Sequence, residues 1–214
     1  MDLKARARKI TVILRRQYPD ARCMLDHKDA FQLLVATVLA AQCTDKKVNE
    51  VTRDLFRKYP TPEALAEADL PTLEREVKPT GFFRAKAKSI KGSATAIAGE
   101  FGGKVPGTME QLVALPGVGR KTANVVLGEC FGKPGIIVDT HFRRVAARLG
   151  LTRSDDPDRI ESDLDALIPP AERTLFSHLI TFHGRQICAA RKPKCDACPA
   201  SSLCDYYAKV VNKT

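Results

Sequence analysis

The sequence predicts an all-α protein. Apolar residues recur at helical spacing, helix-start signals recur along the chain, and no alternating β-branched run is long enough for a strand. Phe31, Leu34, Val35, Val38 and Leu39 fall three, four, seven and eight positions apart, forming one broad apolar stripe. Thr61 before Pro62 reads as an N-cap with proline in the first turn. The Gly- and Pro-rich stretch from Phe101 to Gly107 is a connector, and Thr108 with Gln111 is a capping-box pattern ahead of Leu112. Leu115 to Ala123 is a tight turn between two helices. Gly132-Lys133-Pro134-Gly135 marks the best internal boundary, and Asp156 before Pro157 starts a further helix.

At 214 residues the chain can bury a substantial core, in one unit or two small ones. Thirty-five Lys and Arg against twenty-five Asp and Glu give a net charge of +10, which favours polyanionic partners. The first residues are charged, with no apolar signal core. The longest apolar stretch, around Leu33 to Ala41, is far short of the roughly 18 to 20 residues of a membrane span. A soluble, intracellular protein with no membrane partner is expected. Of seven cysteines, Cys23, Cys43 and Cys130 stand alone, while Cys188, Cys195, Cys198 and Cys204 crowd together. An odd total without a secretory signal argues for a metal or cluster site rather than a disulfide framework.

The segment Leu115-Pro116-Gly117-Val118-Gly119-Arg120-Lys121-Thr122-Ala123 is the most informative in the chain. Pro116 and the glycines force a sharp turn and let another backbone approach closely. Gly119 then opens a helix whose first N–H groups and dipole suit a phosphate oxygen. Such a contact positions nucleic acid without reading its sequence. Lys121 sits in the first turn, where the dipole disfavours an ammonium and Arg120 adds like-charge repulsion. Both effects favour the neutral amine that a nucleophile must present, and phosphates nearby act against them. Asp139, eighteen positions further on, can cap the next helix and assist that amine. Ile136, Ile137 and Val138 would thin the water around its carboxylate.

Cys188-x6-Cys195-x2-Cys198-x5-Cys204 offers four thiolates to tetrahedral zinc or to a [4Fe–4S] cube. The loop between the first two holds Arg191, Lys192 and Lys194, a plausible second phosphate grip.

Five landmarks in order resemble the endonuclease III family of DNA glycosylases, within the helix-hairpin-helix superfamily. They are Ala40 to Asp45, Thr80-Gly81-Phe82-Phe83, Leu115 to Val126, Val138-Asp139-Thr140-His141, and His183-Gly184-Arg185 leading into the cysteines. The resemblance implies a two-domain fold. Residues 22–133 would form a six-helix barrel carrying the hairpin, and 1–21 with 134–214 a discontinuous helical iron–sulfur cluster domain. It also implies a bifunctional glycosylase/AP lyase of base excision repair, acting on damaged, mainly oxidised, pyrimidines flipped from the duplex. Lys121 would attack C1′ of the sugar, expel the base and form a Schiff base, with β-elimination then cutting the strand 3′ to the abasic site. Asp139 would help deprotonate the amine and stabilise charge on the sugar.

By the same resemblance Gln42 fills the hole left by the flipped nucleotide and Phe82 wedges the opposite strand, where a phenyl ring can stack. Core packing beside Phe83 is the other reading of Phe82. Leu115, Gly117, Val118, Gly119, Arg120 and His141 join Arg191, Lys192 and Lys194 as DNA contacts. The resemblance also implies that the four cysteines hold a [4Fe–4S] cluster. The expected partner is double-stranded DNA with damaged pyrimidines or abasic sites, bound by a monomer in the cytoplasm, at the nucleoid if the cell is prokaryotic. Two rivals are an adenine-mismatch glycosylase, whose branch lacks the hairpin lysine, and a non-enzymatic DNA-binding module using the hairpin only as a clamp.

Overall fold

The computed structural model describes residues 2–211, and no β-strand occurs among them. The helices follow in order as α1 (Leu3–Gln17), α2 (Ala30–Leu39), α3 (Asp45–Lys58), α4 (Pro62–Ala66), α5 (Leu70–Val77), α6 (Phe83–Glu100), α7 (Met109–Val113) and α8 (Arg120–Cys130). Then come α9 (Thr140–Arg148), α10 (Pro157–Leu167) and α11 (Arg173–Gln186). The chain divides into two units: Met24–Lys133, and a discontinuous one of Met1–Cys23 with Pro134–Thr214.

Local chemistry sets most helix starts. Thr61 accepts the Ala64 N–H at 3.3 Å with Pro62 in the first turn, and Asp156 accepts the Arg159 N–H at 2.9 Å ahead of Pro157. Thr108 accepts the Gln111 N–H at 3.3 Å, but its hydroxyl donates to the Gln111 side-chain carbonyl at 3.1 Å. The two side chains therefore bond to each other, and the reciprocal half of the expected capping box does not form.

Within Met24–Lys133, α2 runs through the core. Phe31 to Leu39 are all buried, so the apolar stripe expected on one face gives way to burial all round, as an almost wholly apolar helix demands. Helices α4 and α5 pack along α6, and α8 packs on α2 and α7. The α7–α8 turn rests on a small-residue face of α6. Ser93 donates to the Pro116 carbonyl at 2.7 Å, and a Cβ on Gly92 would meet the Pro116 ring at 3.1 Å.

The discontinuous unit packs α11 against α9 and α1, and α1 also touches α10. Phe142 and Phe176, both fully buried, meet edge-on with ring centroids 6.0 Å apart. Ile10, Leu14, Leu164 and Ile180 fill in around them, and Cys188, Cys198 and Cys204 pack on the edge of this core.

Candidate nucleic-acid and cluster site

The hairpin turn has the shape its glycines demand. Gly117 holds φ +76°, and a Cβ there would sit 2.5 Å from the Ser89 side chain, so glycine is required from inside the fold. Gly119 is different. Its φ of −95° suits any residue, and a Cβ would meet nothing within 4 Å. It is the N-cap of α8 with no side-chain cap, so open space lies in front of a helix N-terminus. Arg120 and Lys121 are exposed on the first turn. Leu115 and Val118, both expected DNA contacts, are 3% and 5% exposed. They anchor the turn in the core and can offer only backbone.

Gln42 and Phe82 are exposed, and both are left-handed, with φ of 53° and 47°. Phe82 is 67% exposed, so core packing beside Phe83 is ruled out. Lys192, with φ 50°, is the third non-glycine residue in that conformation among the described residues, and it too was a predicted DNA contact. Such backbone is uncommon outside glycine and concentrates at functional sites.

Asp139 caps α9, accepting the Phe142 N–H at 2.6 Å. Ile136 and Ile137 bury the approach to it, while the carboxylate stays half-buried. Lys121 and Asp139 belong to different units of the chain. His141 is half-buried, and its Nδ1 lies 3.1 Å from the Arg144 guanidinium. Arg144 also donates to the Gly184 carbonyl at 2.9 Å and to the Cys188 carbonyl at 3.1 Å. His141 is thus part of the tie between α9 and the cysteine segment.

Cys188, Cys195, Cys198 and Cys204 line one cavity, with His183, Arg148, Tyr206 and Tyr207 around it. Burial first, then the neighbouring cysteines, push the Cys198 thiol up to about 11. Burial likewise raises Cys195 and Cys204. Thiols so placed ionise together only around a strongly positive group. Donors already point at the sulfurs. Arg148 donates to Cys188 Sγ at 3.4 Å, and His183 Nε2 lies 3.4 Å from Cys198 Sγ. Burial lowers His183 to about 4 and raises Tyr18 to about 12, so both are neutral near pH 7. In the tautomer whose Nδ1 accepts from the Tyr18 hydroxyl, 3.0 Å away, His183 keeps Nε2–H for the sulfur. The residues present therefore fit a multi-thiolate metal group. Among the described residues no three His, Cys, Asp or Glu side chains converge as a single-ion site.

Sequence reasoning gave no role to Arg144 or Arg148, and named His183 only as part of a family landmark. Arg148 also donates to the Ala189 and Ala190 carbonyls, at 2.7 and 3.0 Å, and stacks on Tyr206. The two arginines lie four apart on α9, which places them on one helix face, but nothing local says what that face meets. Arg191, Lys192 and Lys194, on the loop these bonds support, are exposed.

A family model described as HhH-GPD superfamily base excision DNA repair protein matches residues 35–170. Endonuclease III of Synechocystis sp. is 53% identical over 202 residues, covering 94% of this chain and 92% of its own length. Endonuclease III of Escherichia coli strain K12 is 37% identical, covering 97% and 98%. The chain belongs to the endonuclease III family. A non-covalent endonuclease III–DNA complex superimposes with a TM-score of 0.93 at 41% identity, over 99% of this chain and 100% of that one. A trapped endonuclease III–DNA covalent intermediate gives 0.92 at 42%, over 98% and 99%. With endonuclease III relatives matched over nearly their whole length, the chain is a DNA glycosylase/AP lyase of base excision repair.

Proposed function

We propose that this endonuclease III family member removes oxidised pyrimidines from double-stranded DNA with Lys121 as nucleophile, and cuts the strand 3′ to the abasic site. The observation carrying this reading is an exposed lysine one residue into a helix whose N-terminus is uncapped and open, in a chain 42% identical to an endonuclease III trapped covalently on DNA. The amide groups at Gly119 would take a phosphate and so fix the sugar's distance from the amine.

The Lys121 amine lone pair forms the N–C1′ bond as the C1′–base bond breaks, and the base leaves with the electron pair. Opening of the sugar at O4′ gives the Schiff base. Loss of a C2′ proton then expels the 3′ phosphate, and water releases the enzyme. Asp139 takes the amine proton and faces the positive charge that builds on the sugar. Its cap bond holds the carboxylate in one orientation through this sequence.

Gln42 and Phe82 enter the duplex when the base leaves it, and Arg191, Lys192 and Lys194 grip phosphate. Cys188, Cys195, Cys198 and Cys204 hold a [4Fe–4S] cluster, which when bound supplies cross-linking that orders residues 188–204. The protein acts as a cytoplasmic monomer.

The deciding experiment is borohydride trapping on a duplex with a single abasic site. Wild type is expected to give a covalent adduct. Lys121→Ala is expected to give none while retaining DNA affinity. An undiminished adduct in that variant overturns the assignment.

A further inference from the structure

We propose that Lys86 is a positioning residue for base extrusion, one ammonium that sets the two duplex-entering residues, Gln42 and Phe82, relative to each other. The proposal rests on the insertion role given to those two residues above.

Lys86 lies near the start of α6 and is only 5% exposed. Its Nζ donates to the Leu39 carbonyl at 2.8 Å and to the Thr80 carbonyl at 2.7 Å. Leu39 is the last residue of α2, three before Gln42, and Thr80 is two before Phe82. One nitrogen therefore joins the two segments that end on left-handed, exposed side chains. The Lys86 backbone N–H also donates to the Phe82 carbonyl at 3.1 Å. Main chain and side chain of one residue thus grip the peptide units on both sides of Gly81 and Phe82.

The stiffness lies on both arms. Thr80 is 2% exposed, and its hydroxyl donates to the Val77 carbonyl at 2.8 Å, so the carbonyl that Lys86 takes does not swing. The Leu39 carbonyl belongs to the C-terminal end of α2, where a cation meets the negative end of the dipole. Burial lowers the affinity of this amine for its proton. An apolar chain of similar length would fill the volume without that cost. What only the amine supplies is two directed bonds from a single atom. Left-handed backbone at Gln42 and Phe82 persists only where its surroundings over-determine it, and these bonds add to the Cys43 N–H to Ala40 carbonyl bond, 3.1 Å, that closes around Gln42.

Lys86→Met keeps the volume and removes the bonds. Single-turnover base excision from a duplex with one oxidised pyrimidine is expected to fall about a hundredfold. Strand cleavage at an abasic site in single-stranded DNA, which needs no extrusion, is expected to be unchanged. The rise in fluorescence of 2-aminopurine placed opposite the lesion is expected to slow in step with excision. Combined with Phe82→Ala, Lys86→Met is expected to add little to the single loss. Equal loss on both substrates marks a general structural role and overturns the proposal. So does full duplex excision by Lys86→Met when Gln42→Ala and Phe82→Ala have lost it. If those two variants keep full duplex excision themselves, the insertion reading falls, and the function given to Lys86 falls with it. Should Lys86→Met not fold, Lys86→Arg keeps charge and donors but spreads them over separate nitrogens. It is expected to fold and to lose duplex excision selectively, and wild-type excision by it overturns the proposal.

Discussion

At the scale of the residue, one carboxylate serves two roles that substitution can separate. Asp139 accepts the Phe142 N–H as the cap of α9, and by the mechanism proposed here it also assists Lys121. Asparagine caps a helix about as well as aspartate but carries no charge and accepts no proton. Asp139→Asn is therefore expected to melt within about 0.5 kcal/mol of wild type, while single-turnover excision falls about 10²–10⁴-fold. Asp139→Ala is expected to lose the same rate and a further ~1 kcal/mol of stability with the cap. Normal excision by Asp139→Asn removes the carboxylate from the chemistry. The cap was legible in the sequence, since it depends on neighbours three positions away; the second role is what the family motif implies. Lys86 was not legible. Its acceptor at Leu39 lies 47 residues distant, and a lysine in sequence carries no mark of burial. Nor did anything local mark Gln42, Phe82 or Lys192 as left-handed.

At the scale of the element, the hairpin shows two glycines retained for opposite reasons. Gly117 is held from within, by φ +76° and by Ser89 beneath it. Gly117→Ala is expected to cost about 2 kcal/mol or more, read as a lower melting temperature, and to weaken DNA binding with it. Ser89→Gly clears the overlap but not the backbone strain, so the double variant recovers only part of the loss. Gly119 has free space and ordinary backbone. Gly119→Ala is expected to change stability by less than about 1 kcal/mol, yet weaken duplex binding, because the methyl stands where a phosphate would approach. A variant that melts early and binds normally would reverse that assignment. The sequence forecast a turn with two special glycines; it did not tell them apart. That difference lives in α6, whose Ser89, Gly92 and Ser93 reach the turn from more than twenty residues away.

At the scale of the molecule, the charge excess becomes a count. A net +10 says that phosphate is welcome, not how many phosphates are held. The exposed candidates fall in two places: Arg120 at the hairpin, beside the Lys121 nucleophile, and Arg191, Lys192 and Lys194 on the cysteine loop, one place in each unit. Each phosphate neutralised releases counterions and steepens the fall of log affinity with log salt by about 0.9. With both places on one duplex, about four contacts give a slope near −3.6, a loss of roughly 150-fold between 50 and 200 mM salt. Replacing Arg191, Lys192 and Lys194 with glutamine is expected to flatten the slope by up to about 2.7. Arg120→Gln should flatten it by about 0.9. The readout is duplex affinity at four or more salt concentrations, using DNA without a lesion so that chemistry does not intrude. A slope unmoved by the triple substitution would mean that the loop binds no phosphate. Residues 188–204 would then serve the fold alone, and the hairpin would carry DNA binding by itself.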